Sequence, residues 1–223
     1  EMCIRDSMLP SSTFNVRKGE VMEYDLEIMG MDVGTLAFNT ARQGTFDGSP
    51  VVELKTDLRV DRSVASLVPL EGSAAALVSA TGTALQAAQR YRWAAMSAAE
   101  MQTYTENGRI VASQRTANSQ RTEKQREFHA PVRDFLSAFY VLRQLPRQSA
   151  GCSIVYSGQK AYTVWLEPNG EEQITTVYGK LTADRYVLRY GSDLANTVKE
   201  ARVWVSQDER RVPYRAEGMN SYH

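Results

Sequence analysis

The segment EVMEYDLEIMG alternates Met22, Tyr24, Leu26 and Ile28 with Glu23, Asp25 and Glu27. A period of two sends one set to each face of a pleated strand, so the apolar set meets a core and the acidic set meets water. VVELKTDLRVD repeats the device, with Val52, Leu54, Thr56, Leu58 and Val60 set against Glu53, Lys55, Asp57 and Arg59. Strands buried on one face only belong to antiparallel sheets.

Turn chemistry separates such runs. Asp47-Gly48 in FDGS, Asn107-Gly108 in TENGRI and Asn169-Gly170 in EPNGEE supply the positive φ that tight hairpin turns require. MQTYTENGRIVASQR and KAYTVWLEPNGEEQITTVYGK are therefore predicted to be hairpins. DRYVLRYGS and KEARVWVSQDERRVPYRAEG add later strands, the last with Pro213 at a strand end or edge. The alanine-rich stretch from Ala74 to Ala99 favours a helix by propensity, but Gly82 interrupts it and the reading leans towards strands. TANSQRTEKQREFH is polar throughout, as expected of a turn and a charged edge strand.

One segment breaks the strand pattern. In APVRDFLSAFYVLRQLPRQSAGC, Phe135, Ala138, Phe139, Leu142 and Leu145 recur at the three-and-four spacing of one buried helical stripe, with Arg133, Ser137 and Gln144 opposite. Pro131 suits a first helical turn and Pro146 ends the helix. Asp134 near the start and Arg143 near the end complement the helix dipole. Tyr140 and Val141 widen the apolar surface. The expected fold is mainly β: roughly ten to a dozen short strands in a single curved antiparallel sheet, a barrel or half-barrel, with one central helix from about Val132 to Leu145 covering or plugging it.

At 223 residues the chain fits one large β domain. That domain is expected over residues 14–223. The first seven residues, EMCIRDS, read as the translation of an adapter end left by transposon-based sequencing libraries, and residues 8–13 as a disordered start. Setting the adapter aside removes Cys3 and leaves Cys152, so no intramolecular disulfide is expected, and an export signal would have been lost with the upstream sequence. Lysine plus arginine and aspartate plus glutamate both number 26, so no net charge marks nucleic acid as a partner. No apolar run is long enough to span a bilayer.

Catalytic and metal-binding signatures are lacking. With two histidines, His129 and His223, and no CxxC, HExxH or His-x-His spacing, no metal and no cofactor are expected. No nucleophile elbow, phosphate loop or dinucleotide fingerprint occurs. His129 near Asp134 reads as a local polar contact, Cys152 as a small buried side chain, and SDLANT and SQDERR as solvated turns. The aromatic residues of the later strands are explained by β propensity and core packing. In the functional alternative, Trp165, Tyr186 and Trp204 join Phe135, Phe139 and Leu142 to line an apolar cavity between sheet and helix.

FNVRKGEVMEYDLEIMGMDVGTLAF, RDFLSAFYVLRQLPRQSAGCSI and ARVWVSQDERRVPYR together resemble the DUF3108 family of exported bacterial proteins. The residues carrying the resemblance are Phe14, Gly19, Glu20, Tyr24, Gly30 and Gly34, then Asp134, Tyr140, Arg143 and Gly151, then Trp204, Ser206, Asp208, Arg211 and Pro213. It spans most of Phe14 to Arg215, but the motifs are structural. The resemblance implies an exported, mainly β protein, periplasmic or tethered to the envelope, whose last strand is cut short at EGMNSYH. Two readings follow: a non-enzymatic envelope protein holding an apolar ligand such as a lipid, or a fully packed interaction module acting through an envelope protein partner. An enzyme is the third and least supported reading.

Overall fold

The computed structural model describes residues 14, 16–61, 64, 70–177, 179–192 and 198–218. The adapter-like lead and the start assigned to residues 8–13 lie outside them, as does most of SDLANT. The described residues are mainly β with one α-helix, and the chain divides into two compact units. One unit is Thr13–Ser137 and the other contains Ala138–His223.

The first unit holds strands β1 (Val21–Ile28), β2 (Met31–Phe46), β3 (Ser49–Val60), β4 (Leu70–Ser79), β5 (Ala84–Trp93), β6 (Met96–Thr105), β7 (Ile110–Ala117) and β8 (Gln120–Glu127). Each pairs antiparallel with its neighbour in sequence, and the sheet curls into a half-barrel. The alanine-rich stretch is extended, as the reading leans: cross-strand packing overrides alanine's helix preference.

One row across this sheet shows how the sequence distributes chemistry. Met22 stands opposite Phe38, and Phe38 opposite Thr56. Thr56 faces Ala74, Ala74 faces Gln89, Gln89 faces Glu100 and Glu100 faces Arg115. The row is bulky and apolar on β1 and β2, small on β4 and polar from β5 to β7. On β6 the alternation buries Ala98, Glu100, Gln102 and Tyr104 while Met101 lies outside, 65% exposed. Buried polar side chains need partners; Gln89 Nε2 donates to Glu100 at 2.7 Å.

Sharp local geometry falls on glycine at Gly34. A Cβ built there would lie 2.0 Å from the Arg59 carbonyl oxygen, so any other residue would force β2 and β3 apart. The bend between strands read from Gly30 and Gly34 is a turn at Gly30 followed by this close approach within β2.

After β8 the chain forms the two-residue strand β9 (Val132–Arg133) and helix α1 (Phe135–Arg143). The helix is shorter than the Val132 to Leu145 span expected. Pro131 has no N–H and Val132 is β-branched, so both favour extended backbone, and Asp134 caps the helix rather than entering it. Its Oδ1 accepts from the Leu136 and Ser137 N–H groups at 2.9 and 3.1 Å. Ser137, expected on the exposed side, is fully buried because its hydroxyl donates to the Asp134 carboxylate at 2.6 Å. At the other end the Gln144 and Leu145 amides bond three residues back, tightening the last turn before Pro146.

The second unit carries β10 (Gly151–Ser157), β11 (Lys160–Thr176), β12 (Gly179–Ser192), β13 (Val198–Ser206) and β14 (Pro213–Gly218), in the order β14-β13-β12-β11-β10. The expected single sheet is therefore two sheets. Proline at 131 and 146, with the Asp134 cap between them, breaks β pairing and separates the meander from its successor. The hairpin predicted at Asn169-Gly170 is instead a bulge inside the 17-residue β11, between Pro168 and Glu171. Gly170, at φ +81°, serves a bulge as readily as a turn. Pro213 opens β14 at the sheet edge, as expected.

Candidate functional site

Of the six residues proposed to line an apolar cavity, Leu142 and Tyr186 lie on one face of the second sheet and Trp165 and Trp204 on the other. Leu142, on the last turn of α1, packs with Leu188 and Val203 against the buried cluster of Leu145, Leu166, Tyr186 and Val205. Trp204 belongs to a second cluster with Ile174 and Ala183, flanked by Tyr214. Strand alternation explains the split: Tyr186 stands opposite Val203, so the next residue, Trp204, points to the reverse face with Arg185. Trp165, opposite Arg189, shares that reverse face and is half-buried.

Of these six, the two that are deeply buried aromatic rings, Tyr186 and Trp204, each have their polar edge engaged. Tyr186 is 0% exposed; its hydroxyl accepts from the Gln148 amide at 3.0 Å and from Arg211 at 2.6 Å. Trp204 Nε1 donates to Glu172 at 3.1 Å, and the Arg215 guanidinium lies 5.4 Å from its ring. Trp165 differs: its Nε1 is buried without a hydrogen-bond partner. Phe135 and Phe139 are half-buried, whereas Tyr140 and Val141, read as flanking the stripe, are buried. Phe139 meets Tyr140 edge-on with centroids 5.3 Å apart, and Arg143 covers both rings.

The densest polar constellation was not anticipated from the sequence. Asp184, on β12 and 0% exposed, accepts from Arg147 Nε at 2.9 Å, Arg211 Nη1 at 2.8 Å and Gln207 Nε2 at 3.1 Å. Arg147 also reaches Glu171. Burial pushes the Asp184 carboxyl up, but the hydrogen bonds from Arg147, Arg211, Gln207 and Gln148 outweigh it and hold the group down at about 2.

The SQDERR segment, read as a solvated turn, is in part the wall of this constellation. Ser206 and Arg211 are buried. The Ser206 hydroxyl donates to Asp208 at 2.7 Å and accepts from the Val212 amide at 2.7 Å. Arg143 ties the helix end to the same turn, donating to the carbonyls of Arg211 and Arg210 at 3.1 and 2.8 Å. Four of the residues carrying the family resemblance, Arg143, Ser206, Asp208 and Arg211, thus meet in one knot. The only advance signal was the density of charge in DERR, which a solvated turn explains equally well.

Other resemblance residues hold the backbone locally. Gly19 and Glu20 donate their amides to the Thr40 carbonyl and hydroxyl, at 3.1 and 2.9 Å. The Phe14 amide donates to the Ala80 carbonyl, and Tyr24 stacks edge-on with Phe38 at 6.0 Å. Gly151 leaves room for Leu145, whose Cδ1 would lie 2.6 Å from an added Cβ. Cys152 is buried. Among the described residues no group of three or more His, Cys, Asp or Glu side chains is placed to hold a metal ion, and no helix is long and apolar enough to cross a membrane.

Comparison with known proteins follows the same lines. The model of the family described as protein of unknown function, DUF3108, matches residues 23–221, nearly the whole chain. No curated protein matches. Among solved structures, the crystal structure of a candidate lipoprotein from Parabacteroides distasonis aligns over 94% of this chain and 92% of its own at 12% identity, with a TM-score of 0.33. A likeness that weak carries no argument about fold or function.

Proposed function

We propose that this chain, which belongs to the DUF3108 family, is a non-enzymatic, exported interaction module of the bacterial envelope whose helix-side core is filled by its own side chains. The observation that supports the reading is the packing around Tyr186, where Leu142, Leu145, Leu166, Leu188, Val203 and Val205 meet on the helix side of the sheet. The exported setting comes from the family resemblance alone.

Two buried carboxylates, Asp184 and Asp134, support the non-enzymatic half. A general base works best with a pKa near the operating pH; Asp184 sits at about 2 and is held ionised by two arginines. Burial raises the Asp134 carboxyl, with hydrogen bonds from Ser137 and Leu136 opposing the rise, and those bonds are the helix cap. Both groups are occupied in holding structure.

One observation favours the ligand-carrier reading, for a ligand on the reverse face of the second sheet, away from the helix-side cluster: the buried, unpartnered Trp165 Nε1, a donor that a lipid carbonyl or headgroup could satisfy. Native mass spectrometry with lipid extraction, on protein purified gently from the envelope fraction, separates the two. The module reading expects the mass of the bare chain. A stoichiometric lipid would overturn it and direct substitution first to Trp165.

A further inference from the structure

Two hairpin tips of the first unit break the rule that turns are polar. The β1–β2 tip reads Ile28-Met29-Gly30-Met31 and the β5–β6 tip reads Trp93-Ala94-Ala95-Met96, and all eight residues are exposed. Met29 is 86% exposed and Trp93 55%. Runs of exposed apolar residues are faults unless they serve a function. Both tips have the same layout: a large apolar residue, a residue with left-handed backbone, a small residue and a methionine. Met29 takes φ +53° and Ala94 φ +52°, where asparagine, aspartate or glycine is the ordinary choice.

Two other hairpins of this sheet have asparagine or aspartate at the first turn position. The β2–β3 turn uses Asp47-Gly48 and the β7–β8 turn Asn118-Ser119. In an antiparallel meander every odd-to-even connection lies at one end of the sheet, so the two apolar tips emerge together, four strand spacings apart. That is roughly 19 Å along the curve.

We infer that this end of the half-barrel is a membrane-contacting surface, with Ile28, Met29, Met31, Trp93 and Met96 entering the interfacial region of a lipid bilayer. Five side chains are far short of the roughly 20–30 residues a side that a specific protein interface uses. Two separate projecting tips fit a soft, deformable medium better than a shaped groove. Tryptophan is the side chain most at home at the bilayer interface, and unbranched methionine adapts to it. At the β5–β6 tip Arg92 is paired with Glu71 at 3.0 Å, and the charges flanking the β1–β2 tip, Glu27 and Asp32, are acidic, so neither tip offers cationic attraction to lipid and the contact is apolar rather than electrostatic. The inference rests on the envelope reading only for where a bilayer is met; flotation reads the tips and native mass spectrometry the interior, so either can fail alone.

The test is co-flotation of the full chain with unilamellar vesicles of phosphatidylcholine, alone or mixed with phosphatidylglycerol. Both compositions are expected to bind equally, and Met29→Asp with Trp93→Asp to lower partitioning by at least about tenfold. Met101→Asp, an equally exposed site in mid-strand, is expected to bind as the parent does, with urea midpoints verifying that each variant folds. Brominated phosphatidylcholine should quench the parent's fluorescence and leave Trp93→Phe, which retains Trp165 and Trp204, unquenched. No flotation, flotation only with the anionic mixture, or flotation indifferent to the double substitution would overturn the inference. So would a dimer in sedimentation that the double substitution dissolves, which would assign the tips to a second copy.

Discussion

Asp184 and Arg211 form an ion pair closed off from water: Oδ2 to Nη1 is 2.8 Å, the carboxylate is 0% exposed, and the guanidinium stacks 5.4 Å from the Tyr186 ring. Each partner depends on the other, because a buried charge without its counter-charge is far costlier than the pair.

Asp184→Asn is accordingly expected to destabilise the chain by about 3–5 kcal/mol, since it leaves Arg211 buried with a neutral partner. Arg147→Ala should cost less, because the Arg147 side chain is partly exposed and its ion pair is screened. Urea denaturation of the two variants gives the order; an Arg147→Ala cost equal to that of Asp184→Asn would show that the constellation acts as one unit through Arg147.

The same group fixes a pH dependence. The folded carboxyl titrates at about 2, below its usual value near 4 in an unfolded chain. The unfolded state therefore binds the proton first, and this contribution is full above about pH 4 and is lost as pH falls towards 2. Asp134, raised by burial, works in the opposite sense, since its protonation relieves desolvation. Denaturation midpoints between pH 6 and 2 should show the gap between the parent and Asp184→Asn closing over that acid window. A gap constant down to pH 2 would remove Asp184 as the cause.

At the helix start, Asp134→Ala should cost about 1–2 kcal/mol, the usual range for a lost cap. Asp134→Ser, which can still accept from the amides at 136 and 137, should recover most of it. Thermal unfolding followed by far-ultraviolet circular dichroism reads both; equal losses would mean that the carboxylate's bond to Ser137, rather than the cap, carries the effect.

Two glycines should respond differently to alanine. Gly34→Ala drives a methyl into the Arg59 backbone carbonyl and is expected to cost about 3 kcal/mol or more, the upper end of overpacking. Gly151→Ala meets only the flexible end of Leu145, and about 1 kcal/mol is expected. Comparable urea midpoints for the two would contradict the rigidity assigned to the β2–β3 contact.

Local order was legible in advance. The period of two in β1 and β3, the Asp47-Gly48 turn and the placing of Asp134 and Arg143 near opposite ends of a helix follow from side-chain chemistry within a few residues, and the family from the resemblance of three segments. Bulge and turn were not separable at Asn169-Gly170, because the local backbone requirement is the same and only the partner strand decides between them. Nor could the helix stripe be phased correctly: Ser137 reads as polar and outward until its hydroxyl is seen closing the cap.

Alternation of apolar with polar residues was enough to read antiparallel strands, and a proline-bounded apolar run to read a helix among them, since both depend on neighbours along the chain. Tertiary structure decided the rest. It set two sheets in place of one, put Tyr186 and Trp204 on opposite faces through a one-residue offset in register, and gathered Arg147, Asp184 and Arg211 from three separate segments. It also brought IMGM and WAAM, more than sixty residues apart, to one end of the meander. Such placements are set by pairing between distant strands, which no local pattern encodes.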